Sequence, residues 1–230
     1  MLNTKLQSIE AIKTIARTLG DLNDQVVYVG GAVASIYADD PGAQEIRPTK
    51  DVDIVIKIAS ALELETFRQQ LAERGIHLDK EAKITCRFKY QNISLDVMAT
   101  KEIGWAPANP WFKSGFNYSD IYELDDVSIK IMPVAYYLSS KFTAFKDRGK
   151  DPRTSYDFED IIYVLDNRTT LIKDILESEN DVKMFLLAEF NTLLKEASLQ
   201  EAIMAHLEPA TQTRRYELLK QKLETITSKI

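Results

Sequence analysis

Apolar residues recur at Leu6, Ile9, Ile12, Ile15, Ala16 and Leu19 near the start of the chain, the stripe of an amphipathic helix. The pattern then changes period. "QVVYV" is a short β-branched and aromatic run that predicts a buried strand, "GG" (Gly30 and Gly31) the turn that ends it, and "AVASIYA" a new helix. The turn formers of "DDPGAQEIRPTK" predict an exposed loop leading into a strand, "DVDIVIKI". "ALELETFRQQLAERG" spaces Leu62, Leu64, Phe67 and Leu71 as a helix and closes on a glycine, where a helix C-terminus favours one. Two β-rich runs, "KITCRFKY" and "ISLDVMAT", flank the connection "QN" and predict an antiparallel hairpin. "WAPANPWFKSGFNYSD" reads as loop and "IYELDDVSIKIM" as a further hairpin. From Pro133 onward only helical patterns follow, the first being "PVAYYLSSKFTAFKDRG" with Pro at its start and Gly at its end. The expected architecture is an α/β domain over residues 1–132 and a helical domain over 133–230.

Composition narrows the functional classes. The 230 residues are 45% hydrophobic and 28% charged, enough for one sizeable core or two small ones. No apolar run approaches the roughly 18–20 residues of a membrane span, and the first helix lacks a signal peptide's continuous apolar core, so a cytoplasmic protein with no membrane partner is expected. A single cysteine, Cys86, and two scattered histidines, His77 and His206, assemble neither a disulfide nor a zinc site. Cys86 is expected to be a small buried hydrophobe. The net charge of −6 argues against a surface that coats nucleic acid but leaves room for a local basic cleft.

The strand "DVDIVI" poses the chemical question, because it carries two carboxylates in an otherwise apolar run. Alternation along a strand puts Asp51 and Asp53 on one face and Val52 and Ile54 on the other. Carboxylates that close repel unless a cation lies between them, and Mg2+ is a hard ion that takes one or two carboxylates and fills its shell with water and substrate phosphates. Asp96 interrupts the strand of the hairpin and is a third acid able to lie beside the pair. Three such acids on adjacent strands suit two metal ions about 3.5–4 Å apart, the arrangement of phosphoryl and nucleotidyl transfer. Gly30 and Gly31, ahead of a helix, offer backbone N–H groups to a triphosphate. A solvated strand end is the plainer alternative for any single Asp-x-Asp pair.

Together these residues resemble the nucleotidyltransferase superfamily with the DNA polymerase β fold, whose pattern is a glycine turn, a helix, a loop, an acid pair and a later acid. The stretch "GGAVASIYADDPGAQEIRPTKDVDIVI" looks most like its AbiEii branch, the toxins of type IV toxin–antitoxin systems, through Arg47, Thr49, Lys50, Asp51 and Asp53. A second block, "SKFTAFKDRGKDPRTSYDFEDI", matches through Lys141, Ala144, Arg148, Lys150 and either Asp157 or Asp160. The resemblance implies an α+β fold, a polymerase β-like mixed sheet with helices followed by an all-helical C-terminal domain that completes the nucleotide cleft. It implies Asp51, Asp53 and Asp96 as catalytic metal ligands for two Mg2+ ions. Gly30, Gly31, Lys50, Lys141, Arg148 and Asp157 or Asp160 would bind nucleotide. Lys141 and Arg148 are two helical turns apart and share a face, with small Ala144 between them. The acids of the intervening loop, Asp39, Asp40 and Glu45, are assigned to solvent.

The activity so implied is Mg2+-dependent transfer of a nucleoside monophosphate from an NTP to a hydroxyl, with a tRNA 3′ end as acceptor and a cognate antitoxin as partner. A pI near 5.1 sits awkwardly with RNA, unless Arg47, Lys50, Lys146, Arg148, Lys150 and Arg153 gather at the cleft rim. Two rivals remain. One is transfer to a small molecule such as an antibiotic hydroxyl, with the aromatic residues of "GWAPANPWFKSGFNY" lining a pocket or merely covering the core. The other is a catalytically inactive nucleotide-binding module.

Overall fold

A computed structural model of the chain describes residues 4–43, 46–49, 51–149 and 151–229, apart from the side chains of Thr4 and Lys5. It divides into two compact units, the first comprising the chain through Val33 together with Arg47–Pro133, and the second Ala34–Ile46 together with Val134–Ile230.

The first unit is built on a seven-stranded mixed sheet. Helix α1 (Thr4–Leu19) buries Ile12, Ile15, Ala16 and Leu19, the inner part of the stripe in its sequence. Strand β1 (Val26–Val29) is buried at every position, which its unbroken apolar run requires. Strand β2 (Asp51–Ile56), helix α3 (Ala61–Glu73) and the two-residue β3 (His77–Leu78) follow. Ser60 caps α3 by accepting from the amide of Glu63 at 3.2 Å, while Glu63 accepts from Ala59 at 2.9 Å, a reciprocal arrangement that satisfies two otherwise unpaired donors. Strands β4 (Arg87–Tyr90) and β5 (Ile93–Ala99) form the expected hairpin, with Gln91 in the left-handed region at φ 53°. Residues 83–86, expected to begin this strand, precede it instead. Helix α4 (Phe112–Asn117) lies in a stretch read as loop, six residues being too few to display a helical period. Strands β6 (Asp120–Leu124) and β7 (Val127–Ile131) complete the second hairpin.

The strand order is β3-β4-β5-β2-β1-β7-β6. β2 runs antiparallel to β1 and parallel to β5, with Asp53 opposite Val29 on one side and Asp96 on the other. The acids therefore sit on central strands.

The second unit is helical. It contains α2 (Ala34–Tyr37), α5 (Val134–Arg148), α6 (Tyr156–Asn167), α7 (Leu171–Leu176), α8 (Asn180–Lys195), α9 (Ala197–Ala205) and α10 (Gln212–Thr227). Pro133 stands just before α5 and Gly149, at φ 55°, just after it, as the sequence predicts. Its core includes Phe158, Ile161, Leu165, Leu186 and Phe190. The helix expected after the glycine pair amounts to one 3-10 turn, Gly31–Val33, and the four residues of α2. Pro41 and Gly42 then turn the chain, the Gly42 amide donating to the Asp40 carboxylate at 2.8 Å.

The segment Ala34–Ile46, which a boundary at residue 132 assigns to the first domain, packs within the second unit. The amides of Asp39 and Asp40 both donate to the carbonyl of Asn167 at 3.1 Å. Arg168 pairs with Asp39 at 3.5 Å, and Arg215 with Asp40 at 3.4 Å. Asp39 and Asp40 are thus anchors of this loop, a correction to their assignment to solvent. Glu45 lies outside the described residues.

Candidate active site

On β2 the side chains of Val52 and Ile54 are fully buried while Asp51 and Asp53 keep partial access to solvent, the alternation expected of a strand with one face in the core. Register carries this face across three strands. Asp53 pairs with Asp96 of β5, and Asp96 with Arg87 of β4. Residues directly opposite in a ladder share a face, so Asp53, Asp96 and Arg87 form one row, with Asp51 two residues along.

Arg87 binds both oxygens of Asp96, Nε to Oδ1 at 2.7 Å and Nη2 to Oδ2 at 2.8 Å, and its Nη2 also reaches Oδ2 of Asp51 at 3.1 Å. This fork-to-fork geometry is the strongest form of carboxylate recognition. The Asp96 side chain is only 12% exposed and that of Asp51 44%. Hydrogen bonding to Asp96, followed by attraction to Asp51 and Asp53, holds the guanidinium proton more tightly than in free arginine. Cys86, beside Arg87, is buried as expected, and burial pushes its thiol up to about 11.

Gly30 follows β1 in the left-handed region at φ 74°. A Cβ placed on it would overlap the carboxyl group of Asp53 and lie 2.8 Å from that residue's Cβ. Only glycine permits this approach of backbone to acid. Gly31 opens the 3-10 turn. Lys50 lies outside the described residues.

The donors are the hard oxygens that Mg2+ prefers, and the bare Cα of Gly30 leaves Asp53 room, so Asp51 and Asp53 fit one such ion. A cage of three is another matter. Among the described residues no three His, Cys, Asp or Glu side chains converge as a metal site. Arg87 explains this, since its guanidinium occupies the space between Asp51 and Asp96. Sequence reasoning missed Arg87, although the "QN" connection that defines the hairpin also sets Arg87 opposite Asp96.

The remaining predicted residues belong to the second unit and form a cluster there. Lys141 Nζ donates to Asp160 at 2.6 Å and to Asp157 at 3.3 Å, and Arg148 pairs with the other oxygen of Asp157 at 2.9 Å. The Asp160 side chain is fully buried. Lys146 pairs with Glu189, and Arg153 with Asp151 at 2.7 Å. Lys150 is outside the described residues. Lys146, Arg148 and Arg153, three of the basic residues expected at a cleft rim, are therefore engaged by acids. Of the aromatic stretch, Trp105 packs on Phe88 at 5.2 Å and donates to Glu65 at 2.9 Å, and Phe112 is buried, which favours a core-covering role.

No family model and no curated protein matches the chain. Among solved structures it is similar to an antigenic nucleotidyltransferase-like protein from Paracoccidioides brasiliensis, with a TM-score of 0.52 and 17% identity over 86% of this chain and 93% of that one. The fold is nucleotidyltransferase-like. A second similarity, to the antibiotic-resistance factor ANT(2'')-Ia, has a TM-score of 0.49 and 11% identity over 80% of this chain and 94% of that one. Among the described residues no helix is long and apolar enough to cross a membrane.

Proposed function

We propose that the protein is a nucleotidyltransferase that moves a nucleoside monophosphate from an NTP to a hydroxyl acceptor. The observation that carries this reading is the row of Asp51, Asp53 and Asp96 on one face of adjacent central strands, with Gly30 pressed against Asp53, in a nucleotidyltransferase-like fold.

Asp51 and Asp53 would hold Mg2+. When bound, the ion supplies positive charge against the triphosphate. The protein's own contribution is placement. Strand β2 fixes the two acids at a constant spacing, the Gly30–Gly31 turn keeps backbone rather than side chain beside them, and the Arg87 fork locks Asp96 in the same row. The acceptor oxygen attacks the α-phosphorus, the bond from that phosphorus to the bridging oxygen breaks, pyrophosphate leaves, and the acceptor proton passes to solvent or a carboxylate. Rate enhancement in such a site comes from positioning and charge neutralisation.

Two acceptors fit. A tRNA 3′ end, with an AbiEii-like toxin role and an antitoxin partner in the cytoplasm, is what the resemblance of "RPTKDVD" to the AbiEii pattern implies. A small-molecule hydroxyl is favoured by the charge, because Lys146, Arg148 and Arg153 are each paired with an acid. The discriminating experiment incubates the protein with Mg2+, each α-labelled NTP and either total tRNA or a panel of hydroxylated antibiotics. Label on tRNA, falling steeply with added salt as phosphate contacts require, supports the RNA acceptor. Label on a small molecule with little salt dependence supports the other.

A further inference from the structure

Asp96 is the most enclosed of the three acids, and both of its oxygens already accept from one permanent cation. A buried carboxylate needs such a partner, and a guanidinium stays charged at every accessible pH. We propose, on the basis of the nucleotidyltransferase reading above, that Arg87 takes the place of a second metal ion, so that the site binds one divalent cation, on Asp51 and Asp53.

Charge balance supports this. The three carboxylates carry −3, the guanidinium returns +1, and a single divalent ion completes neutrality. Without Arg87 one ion leaves −1 and Asp96 loses the cation that binds both its oxygens, so that carboxylate becomes the place for a second ion. Geometry agrees. The antiparallel ladder between β4 and β5 fixes Arg87 opposite Asp96, so the fork is held by register rather than by a mobile loop. The same Nη2 that binds Asp96 reaches Oδ2 of Asp51 at 3.1 Å and lies where an ion bridging Asp51 and Asp96 would have to sit. The single ion is thereby directed to the Asp53 side of Asp51. Arg87 is a positioning residue in this account, since it acts through the acids.

The test is Mn2+ binding to the full chain without nucleotide, followed by the loss of the free-ion electron paramagnetic resonance signal. The wild type is expected to bind one Mn2+ and Arg87→Gln two. Two ions of similar affinity in the wild type, or one in Arg87→Gln, would overturn the proposal. Should Arg87→Gln fail to fold by circular dichroism, Arg87→Gln with Asp96→Asn removes both members of the pair. It is expected to bind one ion at close to wild-type affinity, and weakening beyond about tenfold would show Asp96 to be a ligand and overturn the proposal. Asp51→Asn with Asp53→Asn separates the two levels of the account. Binding that is absent from the wild type, or indifferent to these changes, overturns the acid pair as metal ligands and with it the reading on which this rests. Binding that is lost in the pair variant but unchanged in number in Arg87→Gln overturns the role of Arg87 alone.

Discussion

Gly30 and Asp53 lie so close that no side chain fits between the turn after β1 and the carboxylate on β2. Gly30→Ala is therefore expected to displace the acid as well as strain the backbone at φ 74°. Gly20, at φ 58° with nothing within 4 Å of an added Cβ, isolates the backbone cost alone. Urea denaturation should show Gly20→Ala losing about 1 kcal/mol and Gly30→Ala losing more, about 2–3 kcal/mol. Equal losses would show that the carboxylate yields freely.

Lys141 is ringed by Asp157 and Asp160, the latter without solvent access. Lys141→Met removes the cation that pairs with this buried carboxylate and should lower stability by about 3–5 kcal/mol, seen as a reduced denaturation midpoint. Adding Asp160→Asn should recover part of the loss. A neutral effect of Lys141→Met would contradict the pairing.

Arg215 binds Asp166 at 2.5 Å and Asn167 at 2.6 Å, and burial raises the Asp166 carboxyl above its ordinary value despite this partner. Arg215→Met removes the compensating charge, so the carboxyl should rise further. The folded chain then takes up its proton at a higher pH than the unfolded chain does. The destabilisation by Arg215→Met, about 3 kcal/mol near neutrality, should accordingly shrink as pH falls from 7 toward 4. Denaturation curves across that range measure it, and a penalty that grows on acidification would refute the assignment.

Burial moves the Cys86 thiol from 9.0 to about 11. At any pH below 9 the folded protein then holds roughly a hundredfold less thiolate than an ordinary cysteine, and alkylation by iodoacetamide at pH 8 should be slowed at least that much until denaturant is added. Labelling of the native protein at the rate of the unfolded chain would show Cys86 to be accessible.

The sequence exposes those features that depend on neighbours along the chain. The hydrophobic period of α1, the two-residue hairpin connection after Tyr90 and the Pro133 and Gly149 that bracket α5 all act locally, and each reappears in the structure. The alternation in "DVDIVI" likewise fixed the common face of Asp51 and Asp53. What stayed hidden depends on distant partners. Nothing near Asp39 and Asp40 announces Arg168 and Arg215, more than a hundred residues away, so a polar loop looked solvated. Arg87 is the instructive intermediate case, because its pairing with Asp96 follows from the hairpin register but its reach to Asp51 requires the parallel pairing of β2 with β5. The six residues of α4 lacked the length to show a period.

In the proposed reaction the Asp51 and Asp53 pair drives cleavage between the α- and β-phosphates of an NTP. This role is tested most directly by following α- and γ-labelled NTPs in parallel with Mg2+ and the acceptors named above. The α-label is expected to be retained on an acceptor, the γ-label to leave as pyrophosphate, and both to fall by at least about a thousandfold in Asp51→Asn with Asp53→Asn. Release of the γ-label as free phosphate, its transfer to an acceptor, or turnover indifferent to the two substitutions would contradict it.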